Sequence, residues 1–150
     1  MKKPLVFQQI TFSQEKILSA LATYKFLSTG QLLVLQTMSD RANLNKQLAQ
    51  LRSSSKPLIG SVTFGVHPQM GKLESVHYLS AHGANLLRDR FGEDYPIRFP
   101  KGNSGLFQQD YFHRINTVDI HIALAGWSAV NGVQLLSFCT YFDKLSSPYV

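Results

Sequence analysis

The feature that most constrains this chain is a change of hydrophobic period near residue 57. Before it, apolar residues recur at three- and four-residue spacing; after it they alternate, and from residue 80 the helical spacing returns. Residues 13–25 read as a first helix, with Ser13 as cap and Ile17, Leu18, Leu21 and Tyr24 on one side. Ser28-Thr29-Gly30-Gln31 is a capping box that opens a second helix over about 29–38, with Leu32, Leu33, Leu35 and Met38 inward. Asp40 caps a third, roughly 41–53, with Leu44, Leu48 and Leu51 on one face. A serine run and Pro57 end it. Residues 58–64 then read as a strand, 67–72 as a turn, and 73–79 as the returning strand. Ser80 caps a fourth helix over about 81–91, with Ala84, Leu87 and Phe91 inward and Gly92 as the stop.

Three helices, a hairpin and a fourth helix are the order of a winged helix-turn-helix. The expected fold class is therefore mainly α with a small β-hairpin (α+β), occupying residues 1–92. Residues 93–107, holding Pro96, Pro100, Gly102 and Gly105 with few helix formers, read as a linker. A long helix follows over about 108–130, with Phe112, Ile115, Val118, Ile122, Ala125 and Ala129 as its apolar stripe and Trp127 near its end. Asn131-Gly132 stops it, and residues 133–141 read as a strand. Residues 108–150 are then either a dimerisation element or the start of a second α/β domain.

Charge divides the chain unevenly. The net charge is +6, and residues 1–60 hold eight Lys/Arg against two acids, Glu15 and Asp40, whereas residues 61–150 hold seven of each sign. A basic excess confined to one module fits a polyanionic partner, because neutralising phosphates releases counterions; a solvated basic face is the plain alternative.

The third helix carries the sharper signal. With 100° between successive residues, its three leucines fall within about 60°, and Ala42, Asn43, Lys46, Ala49, Gln50 and Ser53 take the opposite side. Asn and Gln bond adenine edges, Lys reaches guanine or phosphate, and Ala permits close approach, so Asn43, Lys46 and Gln50 are the expected base readers. No acid stands between Arg41 and Glu74 in the sequence. Arg41, Arg52, Ser53 and Lys56 are expected beside them, Arg52 and Lys56 as phosphate contacts. Ser28, Thr29 and Gln31 could hold a phosphate at the start of the second helix, although capping alone accounts for Ser28 and Gln31. His67, Gln69 and Lys72 at the hairpin tip could reach a flanking phosphate or the minor groove; a passive turn is the alternative.

Catalytic and metal patterns are weak. His113, Asn116, Asp119 and His121 lack a converging ligand pair, and Asp119 has no partner carboxylate in a suitable motif. We expect no enzyme activity, no metal and no cofactor. The lone Cys139 cannot form an internal disulfide and is expected to be a buried, inert thiol. No apolar run approaches the ~20 residues of a membrane span, and the N-terminus lacks a signal-peptide core, so a soluble cytoplasmic protein without a membrane partner is expected.

Three segments carry a resemblance: Ile17–Leu32 (ILSALATYKFLSTGQL), Val76–Leu87 (VHYLSAHGANLL) and His113–Leu124 (HRINTVDIHIAL). They resemble, in turn, the opening, the "YxLTxxGxxLL" helix and the "HxLxVNDxxxAL" stretch of the replication-relaxation family of bacterial plasmids and mobile elements. In the third, Asn116-Thr117 stands where that family more often has Val-Asn ahead of Asp119. The resemblance implies a winged-helix module that binds double-stranded DNA in plasmid replication, relaxation or mobilisation, with replication or relaxase proteins as partners. It also implies continuation into a nuclease-like α/β region, of which residues 108–141 would be the start in a truncated or naturally reduced form. A transcriptional repressor, the front of a nuclease-like enzyme, and a winged helix used for protein contact are the alternatives. A homodimer through the long helix would pair two half-sites.

Overall fold

The structure, a computed structural model, describes residues 9–100 and 111–140. The chain forms two compact units, Met1–Lys101 and Gly102–Val150. The first is mixed α+β and runs α1 (Phe12–Tyr24), β1 (Leu27–Ser28), α2 (Thr29–Val34), α3 (Arg41–Ser53), β2 (Ile59–Val62), β3 (Val66–His67), β4 (Gly71–Lys72), β5 (Val76–Leu79) and α4 (Ala81–Phe91). In the second, the described helix is α5 (Tyr111–Val130).

Each helix of the first unit starts where a side chain takes up its unpaired N–H groups. Thr11, not Ser13, caps α1: its hydroxyl accepts from Gln14 N while the Gln14 amide accepts from Thr11 N, so the box closes two residues earlier than expected. The Ser28–Gln31 box opens α2 as read from the sequence. Asp40 accepts from Ala42 N and Asn43 N at the start of α3, and Ser80 accepts from Gly83 N at the start of α4.

Helix α2 ends at Val34 rather than near 38. Gln36 N donates to Leu33 O and Thr37 N to Leu32 O, with Gln36 at φ 57°, the paired bonds of a Schellman ending in which glycine is the usual left-handed residue. Leu35 and Met38 are half-buried from the turn instead of from a helical stripe. Lys25 is a second left-handed position. Its φ of 70° and ψ of −53°, with Phe26 N bonded to Tyr24 O, make a γ-turn that swings the chain from α1 into β1.

The sheet has three antiparallel strands in the order β1-β5-β2. Leu27 pairs with His77 on one side of β5, and Ile59 pairs with Leu79 and Ser61 with His77 on the other. Strand β1, two residues long, was not legible as a strand. The expected long hairpin is also divided: β2 and β5 pair at its base, while β3 and β4 form a separate ribbon with Val66 opposite Lys72. The core joins Ile17, Leu18 and Leu21 of α1, Phe26 and Leu27, Leu32 of α2, the three α3 leucines, Leu58, Ile59, Val76 and Leu79, and Ala84 and Leu87 of α4. Phe91, expected inward, is exposed and meets Tyr95 at 4.8 Å. Residues 93–100 do more than link: Arg98 N donates to Ala22 O and its guanidinium to Thr23 O, tying the segment to the end of α1.

In the second unit, α5 ends as expected. Gly132 is left-handed and Val133 N donates to Ser128 O. Its inward face differs from the expected stripe: Arg114, Val118, His121 and Ser128 are buried, Phe112, Trp127 and Ala129 are exposed, and Ile115, Ile122 and Ala125 are half-buried. His121 stacks on Phe138 at 4.2 Å, a contact that draws the helix round to a face its hydropathy did not mark. Residues 133–140 are not a strand, and Cys139 is exposed, not buried. The expected helix start at 108–110, the rest of the linker, and residue 141 lie outside the described residues. Among the described residues no helix is long and apolar enough to cross a membrane.

Candidate nucleic-acid interface

Helix α3 is the most polar surface element of the first unit. Leu44, Leu48 and Leu51 hold it down, at 3% exposure or less, against α1, α2 and β2. That burial fixes its rotation, so Ala42, Asn43, Lys46, Ala49, Gln50 and Ser53 are all exposed on the far side. The outward face from Ala42 to Ser53 carries no acid. Its N-terminus does: the Asp40 carboxylate caps it, and Glu74, distant in sequence, lies against Arg41 with Oε1 at 2.7 Å from Nη1.

Contacts to neighbouring elements set how these side chains are offered. Gln14 of α1 donates through Nε2 to Gln47 Oε1 at 2.9 Å and, more weakly, to Gln50 Oε1 at 3.4 Å. The Gln50 carbonyl oxygen is thereby turned toward α1, and nothing local in the sequence could have shown it. Arg52 sits at the edge of the leucine stripe and donates from Nη1 to Ser61 Oγ at 3.1 Å, which steers it along the sheet. Ser53 and Lys56 are exposed beyond it.

Three expected phosphate contacts are internal instead. Ser28, Thr29 and Gln31 are buried, at 3%, 7% and 5% exposure, with their side-chain oxygens already in hydrogen bonds. The Glu74 carboxylate occupies the backbone there, accepting from Gly30 N at 3.0 Å through Oε2. An anion of the protein itself therefore stands where a phosphate was expected. Arg41 differs from these three: it is exposed, and its guanidinium is engaged by the same carboxylate. Burial raises the Glu74 carboxyl, but the Arg41 hydrogen bond, the Gly30 N–H, the Arg41 charge and Ser28 outweigh it and hold the group below the usual carboxylate range.

At the tip of the ribbon, Gln69 and Lys72 are exposed. His67 is half-buried and works in the turn: its Nδ1 accepts from Gln69 N and Met70 N. Val66 and Met70 are exposed beside it, so the tip presents apolar side chains as well as Lys72.

A polar chain that the sequence did not mark crosses the sheet. His77 Nδ1 lies 2.6 Å from Ser61 Oγ and Nε2 lies 3.0 Å from Thr29 Oγ1, which links Arg52 through Ser61 and His77 to the start of α2. Burial, then the nearby Arg52 charge, lowers His77 to about 4, against a smaller opposing effect of Glu74. The ring is neutral at pH 7, and both nitrogens face hydroxyls. Through these two hydroxyls it ties β5 to β2 and to the start of α2.

Among the described residues no three His, Cys, Asp or Glu side chains group as a metal site. His113 and Asp119 are on the exposed side of α5, whereas His121 is packed on Phe138. Comparison with protein-family models, with curated proteins and with solved structures finds no match.

Proposed function

We propose that the first unit is a winged helix-turn-helix that binds double-stranded DNA, with α3 in the major groove and the β3–β4 ribbon as its wing. The observation that carries this is the outward face of α3: short polar side chains and Lys46, two alanines that permit close approach, and no acid over three turns, opposite a stripe of buried leucines. Asn43, Lys46 and Gln50 are the base readers, Ser53, Arg52 and Lys56 flank them as phosphate contacts, and Gln69 and Lys72 reach the backbone from the wing. The basic excess of residues 1–60 supports the same partner.

The resemblance in residues 17–32, 76–87 and 113–124 directs this binding to the replication, relaxation or mobilisation of a plasmid or mobile element. On that reading the protein assists replication or relaxase proteins at an origin and is not itself an enzyme. The exposed apolar residues of α5, including Ile120, Leu124 and Trp127, support a homodimer as the bound species.

Footprinting on the DNA surrounding the protein's own gene tests the reading, with protection at an origin or transfer region expected. Protection confined to the promoter would instead make the protein a repressor. Lys46→Ala combined with Gln50→Ala should abolish the footprint; a footprint unchanged in that variant refutes the assignment of α3.

A further inference from the structure

Resting on that DNA-binding reading, the Arg41–Glu74 pair adds a property of the same surface. Arg41 is the first residue of α3 and is well placed for a phosphate, yet its guanidinium lies 2.7 Å from Glu74. Glu74 comes from the segment between β4 and β5, so it joins the wing to the start of α3. Its second oxygen is held by Gly30 N at the start of α2. Gly30 leaves the carboxylate room: a Cβ there would stand 2.8 Å from Glu74 Oε2, so a side chain would have to push that carboxylate aside. Both side chains remain partly open to water, at 52% and 37% exposure, so the pair is reachable and can be parted.

We propose that Glu74 is a specificity-determining residue that keeps Arg41 from contributing to sequence-independent binding. For Arg41 to neutralise a phosphate it must give up its internal carboxylate, whose charge is then left beside the DNA, so the exchange releases few of the duplex's condensed counterions on balance and yields little net affinity. Duplexes that meet only the phosphate-binding side chains therefore gain nothing at this position. Where α3 is fully seated by its base contacts, a phosphate is pressed against Arg41 and takes the place of Glu74. The carboxylate thus lowers affinity for random DNA more than for the protein's own site, which widens the ratio between them.

The test is anisotropy titration of labelled duplexes, one of random sequence and one selected for wild-type binding, between 50 and 200 mM salt. Glu74→Gln keeps an acceptor for Gly30 N while removing the charge that holds Arg41. On random duplex it should bind roughly tenfold tighter at ~50 mM salt and about threefold tighter at ~200 mM, with a salt slope steeper by about 0.9, the value of one added phosphate contact. The selected duplex should gain less, so discrimination narrows. Arg41→Ala in the Glu74→Gln background should remove the gain. Glu74→Ala, which removes the carboxylate from Arg41 altogether, should reproduce it and carries the test should Glu74→Gln not fold. Random-duplex affinity that is unchanged or weaker in a folded variant overturns the inference while leaving the DNA-binding reading in place, as does an equal gain on both duplexes. Failure of the wild type to bind any duplex at ~50 mM salt overturns the DNA-binding reading itself, and this inference with it.

Discussion

Replacing Gly83 with alanine should be among the most damaging single-methyl additions to the first unit. A Cβ there would fall 2.1 Å from the Leu58 carbonyl oxygen and 3.2 Å from Leu79 Cδ2. The first contact is with backbone, so no side-chain rotation relieves it, and α4 must move about 1 Å from the start of β2 to restore ordinary van der Waals separation. That movement has a defined cost. The same Leu58 carbonyl accepts from Ser80 N at 3.1 Å, Ser80 Oγ donates to Pro57 O at 2.6 Å, and Ser80 Oγ caps Gly83 N at 3.0 Å. Forced separation costs about 1–3 kcal/mol in repacking and about 1–3 kcal/mol more if the buried carbonyl loses its donor, against roughly 1 kcal/mol returned by the better helix propensity of alanine. The expected net loss is about 1–5 kcal/mol, a fall in Tm of roughly 5–40 °C for a unit of this size. The assay is urea unfolding followed by far-UV circular dichroism, since the single tryptophan, Trp127, belongs to the second unit. Gly65→Ala is the control, because a Cβ there meets nothing within 4 Å, and it should change stability by less than about 0.5 kcal/mol. A Gly83→Ala protein as stable as wild type would refute the close approach of α4 to β2, and with it the packing that carries α3.

Three further outcomes follow from particular residues. Gln36→Gly should stabilise by about 0.5–1 kcal/mol, and Lys25→Gly by a similar amount, because glycine removes the cost of a left-handed side chain at φ 57° and 70°; a loss in Tm for both refutes the turn geometry. His77 titrates near 4 when folded and near 6.5 when unfolded, so stability is full above about pH 6.5, falls as the unfolded chain takes up its proton, and levels below about pH 4 after a loss of about 3 kcal/mol. Denaturant midpoints across that window check it, and His77→Gln should flatten the His77 part of the slope. Lys56→Ala alone should weaken duplex binding by more at low salt than at high and reduce the salt slope by about 0.9, read by the same anisotropy titration; an unchanged slope would place Lys56 outside the phosphate contact.

What the sequence determined by itself is local. Asp40, the Ser28–Gln31 box, Ser80 and Gly132 mark helix ends because a cap acts on N–H or carbonyl groups within four residues of it. The leucines at 44, 48 and 51 define the buried face of α3, and hence its outward face, because helical rotation is a fixed function of spacing. Alternation was enough to find β2 and β5, the two strands long enough to show a period. Local signals misled where a competing cap or a turn lay nearby: Thr11 displaced Ser13, and Gln36 ended α2 early.

Tertiary structure decided whatever depends on residues far apart in the chain. Two residues of β1 have no readable period and become a strand only because β5 lies beside them. An acid-free stretch from Ala42 to Leu73 suggested an uninterrupted basic surface, yet folding returns Glu74 to Arg41 and to the backbone of α2. Ser28, Thr29 and Gln31 are buried by the same closure. Gln14 reaches Gln47 and Gln50 across the α1–α3 contact, and His121 finds Phe138. Electrostatic and hydrogen-bonding partners are chosen by distance in space, and the sequence lists only distance along the chain.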